Sequence, residues 1–316
     1  MNLTTAGHAN SRYARMLDLA APLEPLRTAV VHPVDPVSLA GALDAAADRL
    51  IVPVLVGPQA RIAAAAEAAG RSIDDVERVP TAHSHAAAEA AVRLVHEGRV
   101  EAIMKGSLHT DELMAAIVSE TGLRTGRRIS HIFALDVPSY PKPLFITDAA
   151  INIEPTLETK ADIVQNAIDL ARALGIAEPR VAVLAAVETV NSKMRSTIDA
   201  AALCKMADRG QIEGGILDGP LAFDNAISAE AARAKQIASP VAGAADILLA
   251  PNLESGNMIA KQLIYLAGAE AAGIVLGARV PVMLTSRSDG PLARAASAAL
   301  ALIFARRQAE AAPMTA

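Results

Sequence analysis

The stretch Thr28–Val56, TAVVHPVDPVSLAGALDAAADRLIVPVLV, decides the fold. It opens on a short Val-rich apolar run, Thr28–His32. Asp35-Pro36 then supplies an N-cap followed by proline at the first helical position, where its missing N–H costs nothing. Val37–Arg49 reads as an Ala-rich helix, and Val52–Val56 as a second apolar run. The spacing therefore predicts strand, helix, strand. Both runs are continuously apolar rather than alternating, as expected where both faces of a parallel sheet are covered.

The same pattern repeats outward from this unit. Further strands are expected at Val100–Met104, Ile132–Val137, Leu144–Thr147, Val181–Leu184, Gly215–Leu217, Ile247–Ala250, Ala272–Leu276 and Pro281–Thr285. Helices are expected at His85–His96, Leu157–Leu174, Lys193–Arg209 and Asn257–Ala269, the last with Ser255 before it as a cap. This alternation implies an α/β fold with mainly parallel sheets. One connection differs: only the Pro-rich Pro138–Pro143 joins two strands, which predicts a local antiparallel pair. Changes of domain are expected near Val137–Pro143 and near Gly277.

Composition narrows the function. Of 316 residues, 52% are hydrophobic but only 2% aromatic, so the core is built from Ala, Val, Ile and Leu. The net charge of −5 argues against a broad basic surface for nucleic acid, so any anion site must be local. Cys204 is the single cysteine, which excludes an internal disulfide and a Cys-rich metal site and suits a reducing compartment. Met1–Arg15 is polar, so no secretory leader is expected, and no apolar run reaches the roughly 18 residues of a membrane span. A cytoplasmic location follows as the expectation.

In open parallel α/β sheets, ligands bind outside the carboxyl ends of strands. Five such ends carry polar or Gly-containing turns: Lys105–Asp111, Thr147–Asn152, Asp218–Asn225, Pro251–Asn257 and Thr285–Asp289. Gly and Pro there are also ordinary turn chemistry. Arg287, between Ser286 and Ser288, offers a planar fork of donors suited to phosphate; the other use for it is an ion pair with Asp289. Ser255-Gly256-Asn257 could begin a helix whose free N–H groups hold an anion, or could be a plain cap. Lys105-Gly106-Ser107 resembles a phosphate-contacting turn. Arg127-Arg128, ahead of Ser130 and His131, could add positive charge or stand solvated. His83 and His85, two apart, are poorly spaced for shared metal ligation, and no metal site is expected. The sequence has no GxGxxG, no GxxxxGK[ST] and no GxSxG, which disfavours a dinucleotide site, an NTPase P-loop and a serine-hydrolase elbow.

With these motifs in place, the sequence resembles the phosphate acetyl/butyryltransferase family, and most strongly the acetyltransferase-like module that also occurs fused behind hydratase domains. The matching stretches are Met104–Thr110, Arg128–His131, Thr147–Asn152, Asp218–Ala226, Pro240–Gly243, Ser255–Asn257 and Leu284–Arg287. The resemblance implies two three-layer α/β domains around a central cleft, similar to isocitrate/isopropylmalate dehydrogenases. The domains would be residues 1–139 with 277–316, and 140–276. It implies a homodimer without a bound cofactor, whose partners are acyl-CoA and inorganic phosphate. The reaction implied is acyl-CoA + phosphate ⇌ acyl phosphate + CoA, by direct attack in a ternary complex.

The same resemblance implies catalytic roles for Ser286, Arg287 and Asp289. It implies substrate binding by Lys105, Gly106, Ser107, Arg128, Ser130, Asp218, Gly219, Pro220, Ser255, Gly256 and Asn257. Acetyltransferase members carry an Asp near the position of Ala293; Asp289 follows the butyryltransferase pattern instead. Two other functions fit this scaffold. A dehydrogenase would need a metal cluster and a nicotinamide site, and Asp218, Asp224 and Asp246 are scattered. An acyl-CoA-sensing module would bind without turnover.

Overall fold

The computed structural model describes residues 12–284 and 290–311. Residues 285–289, which contain Ser286, Arg287 and Asp289, lie outside the described residues. The chain divides into two compact units, one up to Arg127 and again from Ala272, the other Arg128–Ala271. The sequence places these boundaries at 139/140 and 276/277. The segment Arg128–Ser139 groups with the second unit because its strand pairs with Leu144–Thr147.

The first unit contains α1 (Arg12–Ala20), β1 (Leu26–Val31), α2 (Pro36–Ala47), β2 (Ile51–Gly57), α3 (Gln59–Ala69), β3 (Glu77–Pro80), α4 (Ser84–His96), β4 (Ala102–Lys105) and α5 (Thr110–Val118). The second contains β5 (Ser130–Asp136), β6 (Leu144–Thr147), α6 (Leu157–Ala173), β7 (Arg180–Leu184), α7 (Arg195–Asp208), β8 (Ile216–Leu221), α8 (Phe223–Ile227), α9 (Ala229–Ala234), β9 (Ile247–Leu249) and α10 (Leu253–Leu266). The chain returns along β10 (Glu270–Leu276), then forms β11 (Val282–Met283) and α11 (Pro291–Ala311).

In the first unit the strand order is β3-β2-β1-β4-β11-β10. The first five are mutually parallel, and β10 runs antiparallel to β11. Ala29, Val30 and Val31 of β1 are fully buried, as the continuous apolar run requires. Asp35 caps α2 by accepting from the N–H groups of Val37 and Ser38, both at 2.9 Å. β3 has no apolar run because it is an edge strand whose residues alternate between half-buried and exposed.

The second unit orders its strands β5-β6-β9-β7-β8. The Pro-rich connection does join an antiparallel pair, with Ile132 opposite Thr147 and Leu135 opposite Leu144. β6, β9, β7 and β8 are parallel. Two expectations need correction. Asp218-Gly219-Pro220 does not follow a strand but lies inside β8. An edge strand tolerates this proline, and β8 is the edge, with a register shift against β7 between Ala182 and Leu184. Ser255 is not the cap of α10, which begins at Leu253. Asn252 caps it, accepting from the Ser255 N–H at 3.0 Å.

Candidate functional site

In the first unit, β1 leads to β2 and β3 on one side, while β4 lies on the other. The strand order therefore reverses between β1 and β4, and a crevice at their carboxyl ends is the expected ligand position. Val31 is paired with Lys105 there, so His32 and the Lys105–Ser107 turn emerge side by side. The N–H of Gly106 donates to the Val31 carbonyl and that of Ser107 to the His32 carbonyl, both at 2.9 Å. A Cβ on Gly106 would overlap the Val31 carbonyl oxygen and come within 2.9 Å of the His32 carbonyl group, so only glycine lets the turn lie this close. Lys105 Nζ donates to the Leu108 carbonyl at 3.2 Å.

Burial alone would raise the Asp35 carboxyl. Hydrogen bonds from Ser38, Ser107 and the Val37 N–H outweigh it and hold the carboxyl below its ordinary value. Burial lowers the His32 imidazole, against an opposing effect of the Ser107 carbonyl. A groove of about 700 Å³ lies between α4 and α5, lined by Ala88, Val92, Ala115 and Ala116 with His85, Arg93, His96 and Glu112. It lies between helices rather than across strand ends.

In the second unit, a cavity of about 450 Å³ opens at the carboxyl ends of β6, β9 and β7. Glu154, Lys160, Arg195, Ser196 and Asn252 line it. Lys160 Nζ and Asp199 Oδ2 form a buried ion pair at 2.8 Å, with Arg195 Nε 3.6 Å from the same carboxylate. Beside it the loop after β6 is organised by Asp148, which is 3% exposed. Its carboxylate accepts from the N–H groups of Ala150, Ile151 and Asn152 and from Asn152 Nδ2. Asn152 Nδ2 also reaches the Ile129 carbonyl at 2.9 Å, tying the loop to the start of β5. Asn257 Nδ2 donates to the Ala149 carbonyl at 3.0 Å, and a Cβ on Gly256 would overlap the Asp148 carbonyl oxygen. The first turn of α10 is thus pressed onto this loop.

The other expected site residues of this unit take different positions. Arg128 is exposed; its N–H donates to Asp162 and its carbonyl accepts from Asn166. Ser130 is fully buried, and its hydroxyl accepts from Asn166 Nδ2 at 2.8 Å. Gly219 packs against Val183 and Ala200, with Cys204 Sγ 3.8 Å from its carbonyl. Burial pushes that thiol up to about 12, so it stays protonated. His131 is 2% exposed, with its ring edge-on to Phe133 at 4.4 Å between centroids. Burial lowers its imidazole to about 4, partly opposed by the charge of Asp148.

Ser255, Gly256 and Asn257 therefore gather with the Thr147–Asn152 loop, and Lys105, Gly106 and Ser107 gather with Asp35 and His32. His32, Lys160 and Asp199 join these groups without belonging to any of the motifs marked in the sequence. His32-Pro33 is a strand-end turn like the five considered, and that position was the available signal for it. The Lys160–Asp199 contact spans two helices and leaves no local pattern.

These features define an α/β protein with polar turns gathered at the carboxyl ends of its parallel strands. The sequence profile of the family described as phosphate acetyl/butaryl transferase matches residues 59–301. The chain is 59% identical over 299 residues to a phosphate acetyltransferase of Rhizobium meliloti, covering 94% of this chain and 95% of the relative. It is 46% identical over 215 residues to a phosphate butyryltransferase of Clostridium acetobutylicum, covering 68% and 71%. Among solved structures, a branched-chain phosphotransacylase from Enterococcus faecalis superposes with a TM-score of 0.76 at 29% identity, covering 88% of this chain and 99% of that one. The chain belongs to the phosphate acetyl/butyryltransferase family.

Proposed function

We propose that the protein is a phosphate acyltransferase that moves a short acyl group reversibly between CoA and inorganic phosphate. The observation that carries this is the 59% identity, over nearly the full length of both chains, to a phosphate acetyltransferase. A phosphate oxygen attacks the thioester carbonyl carbon, the C–S bond breaks, and CoA leaves as thiolate and takes up a proton. In reverse, the thiol must lose that proton to a base.

Arg287 binds the phosphate dianion through its planar fork of donors. Ser286 and backbone N–H groups stabilise the oxyanion that develops at the carbonyl. Asp289 serves as the base. Lys105, Gly106, Ser107, Arg128, Ser130, Asp218, Gly219, Pro220, Ser255, Gly256 and Asn257 complete the substrate site. No acyl-enzyme forms, and no bound cofactor takes part. The scaffold is the two-domain isocitrate/isopropylmalate dehydrogenase type, and the enzyme works in the cytoplasm as a homodimer.

The test is formation of acyl phosphate, trapped with hydroxylamine, from acetyl-, propionyl- or butyryl-CoA and phosphate. A phosphate-dependent hydroxamate from at least one of them supports the assignment. Its absence with all three refutes it.

A further inference from the structure

His32 combines three features in one residue. It is 5% exposed, yet neither ring nitrogen has a hydrogen-bond partner among the described residues. The Ser107 backbone acts on the ring in the sense that favours its protonated form. Leaving a buried polar group unpaired is costly, so a site that does so is matched to a missing partner. Its backbone has φ +55°, the left-handed region, although it precedes Pro33, a position that favours extended backbone. The surroundings fix it there: its N–H donates to Val56 at 2.7 Å, and its carbonyl accepts from Ser107 and Val34, each at 2.9 Å. Backbone strain that its surroundings hold in place points to function when it sits at a ligand position. His32 sits at the strand-order reversal between β1 and β4.

Two cationic residues lie close by. Arg61 acts on the ring, and Lys105 ends the adjacent strand. The N-terminus of the nine-residue α5 carries no side-chain cap among the described residues, and Asp111 and Glu112 lie in its first turn. Of the nearby carboxylates, Asp35 is engaged with Val37, Ser38 and Ser107, while Glu112, whose Oε1 lies 2.7 Å from His85 Nδ1, acts on the ring in the opposite sense to Arg61. His83 lies near the ring as well, its own ring nitrogen accepting from the Ala86 N–H at 3.2 Å.

We propose that His32 is a substrate-binding residue whose imidazole donates a hydrogen bond to a phosphoryl oxygen held at the Lys105–Ser107 turn. The proposal rests on the acyltransferase assignment and on substrate reaching this turn. The phosphoryl group is either inorganic phosphate or one of those of CoA; the chemistry of recognition is the same.

His32→Gly and His32→Asn, made in the full chain, test it, because both residues accept left-handed backbone without new strain. His32→Gly raises the KM for phosphate or for CoA about tenfold while kcat changes less, since a hydrogen bond to a charged group is lost. His32→Asn, which keeps a donor, recovers part of that loss. A residue that only supported the fold would shift the unfolding midpoint without selecting one substrate's KM. Imidazole ¹⁵N signals of the wild type, assigned by the signal missing from His32→Asn, are followed during separate titrations with phosphate and CoA. A His32 shift with phosphate identifies inorganic phosphate, and one with CoA alone identifies the CoA phosphates. Unchanged KM values together with an unmoved His32 signal overturn the proposal. Ser107→Ala separates the two failures. If it raises a KM while His32→Gly does not, the His32 contact alone is wrong. If neither variant changes any KM in an active enzyme, substrate does not reach the turn. An enzyme inactive with every acyl-CoA would instead point to failure of the acyltransferase assignment.

Discussion

The Ser107 N–H donates to the His32 carbonyl at 2.9 Å, which locks the turn after β4 against the end of β1. This closeness depends on Gly106. Gly106→Ala drives a methyl group into the Val31 and His32 carbonyls, and both are backbone atoms with little room to move. The expected cost is about 1–3 kcal/mol, as for other overpacked sites. Denaturant unfolding of the variant measures it, and an unchanged midpoint would show that the turn is not so constrained.

Lys160 and Asp199 have side chains only 6% and 8% exposed. Lys160→Met strands a buried carboxylate, a change that costs about 3–5 kcal/mol where no other charge helps. Arg195, 3.6 Å from Asp199 and largely exposed, takes up part of the charge, so the loss falls toward the lower end of that range. Adding Asp199→Leu to Lys160→Met recovers stability. A double variant no more stable than the single one contradicts this account of the pair.

His131 is neutral in the folded state because burial lowers its imidazole to about 4 from an ordinary 6.5. The unfolded chain binds this proton below pH 6.5 and the folded chain does not. The stability tied to His131 is therefore complete above pH 6.5 and falls as pH drops toward 4. His131→Phe removes that contribution. Unfolding free energies of both proteins across pH 4–7 should differ in slope in this window, and parallel curves would refute the assignment.

The βαβ pattern and most strands were legible because their apolar runs are long and punctuated by Pro, Gly and Asp. The hairpin was legible from Pro138–Pro143, which leaves no room for a helix. β3 was not, since an edge strand such as Glu77–Pro80 carries no apolar signature. The start of α10 was misplaced because Asn252 and Ser255 are both competent caps, and only the fold shows which side chain turns back. In the candidate site, the Thr147–Asn152 loop and Lys105–Ser107 were visible as strand-end turns. The carboxylate of Asp148 gathering three backbone N–H groups was not, because a side chain's choice of partners depends on how the loop closes. The same holds for His32, whose burial and left-handed backbone have no sequence signature.

Asp289→Asn separates the two halves of the proposed chemistry. Loss of the base slows acyl transfer from acyl phosphate to CoA and changes the pH dependence of kcat, while the phosphate KM stays close to wild type. Arg287→Ala does the opposite and acts on the phosphate KM or abolishes turnover. An Asp289→Asn enzyme with wild-type kinetics in both directions assigns the base elsewhere.

Transfer of the acyl group to phosphate is tested most directly by thiol release from acetyl-, propionyl- and butyryl-CoA with and without phosphate. Free CoA should appear from at least one of the three only when phosphate is present. Release that is independent of phosphate, or none with any of the three, would contradict the account.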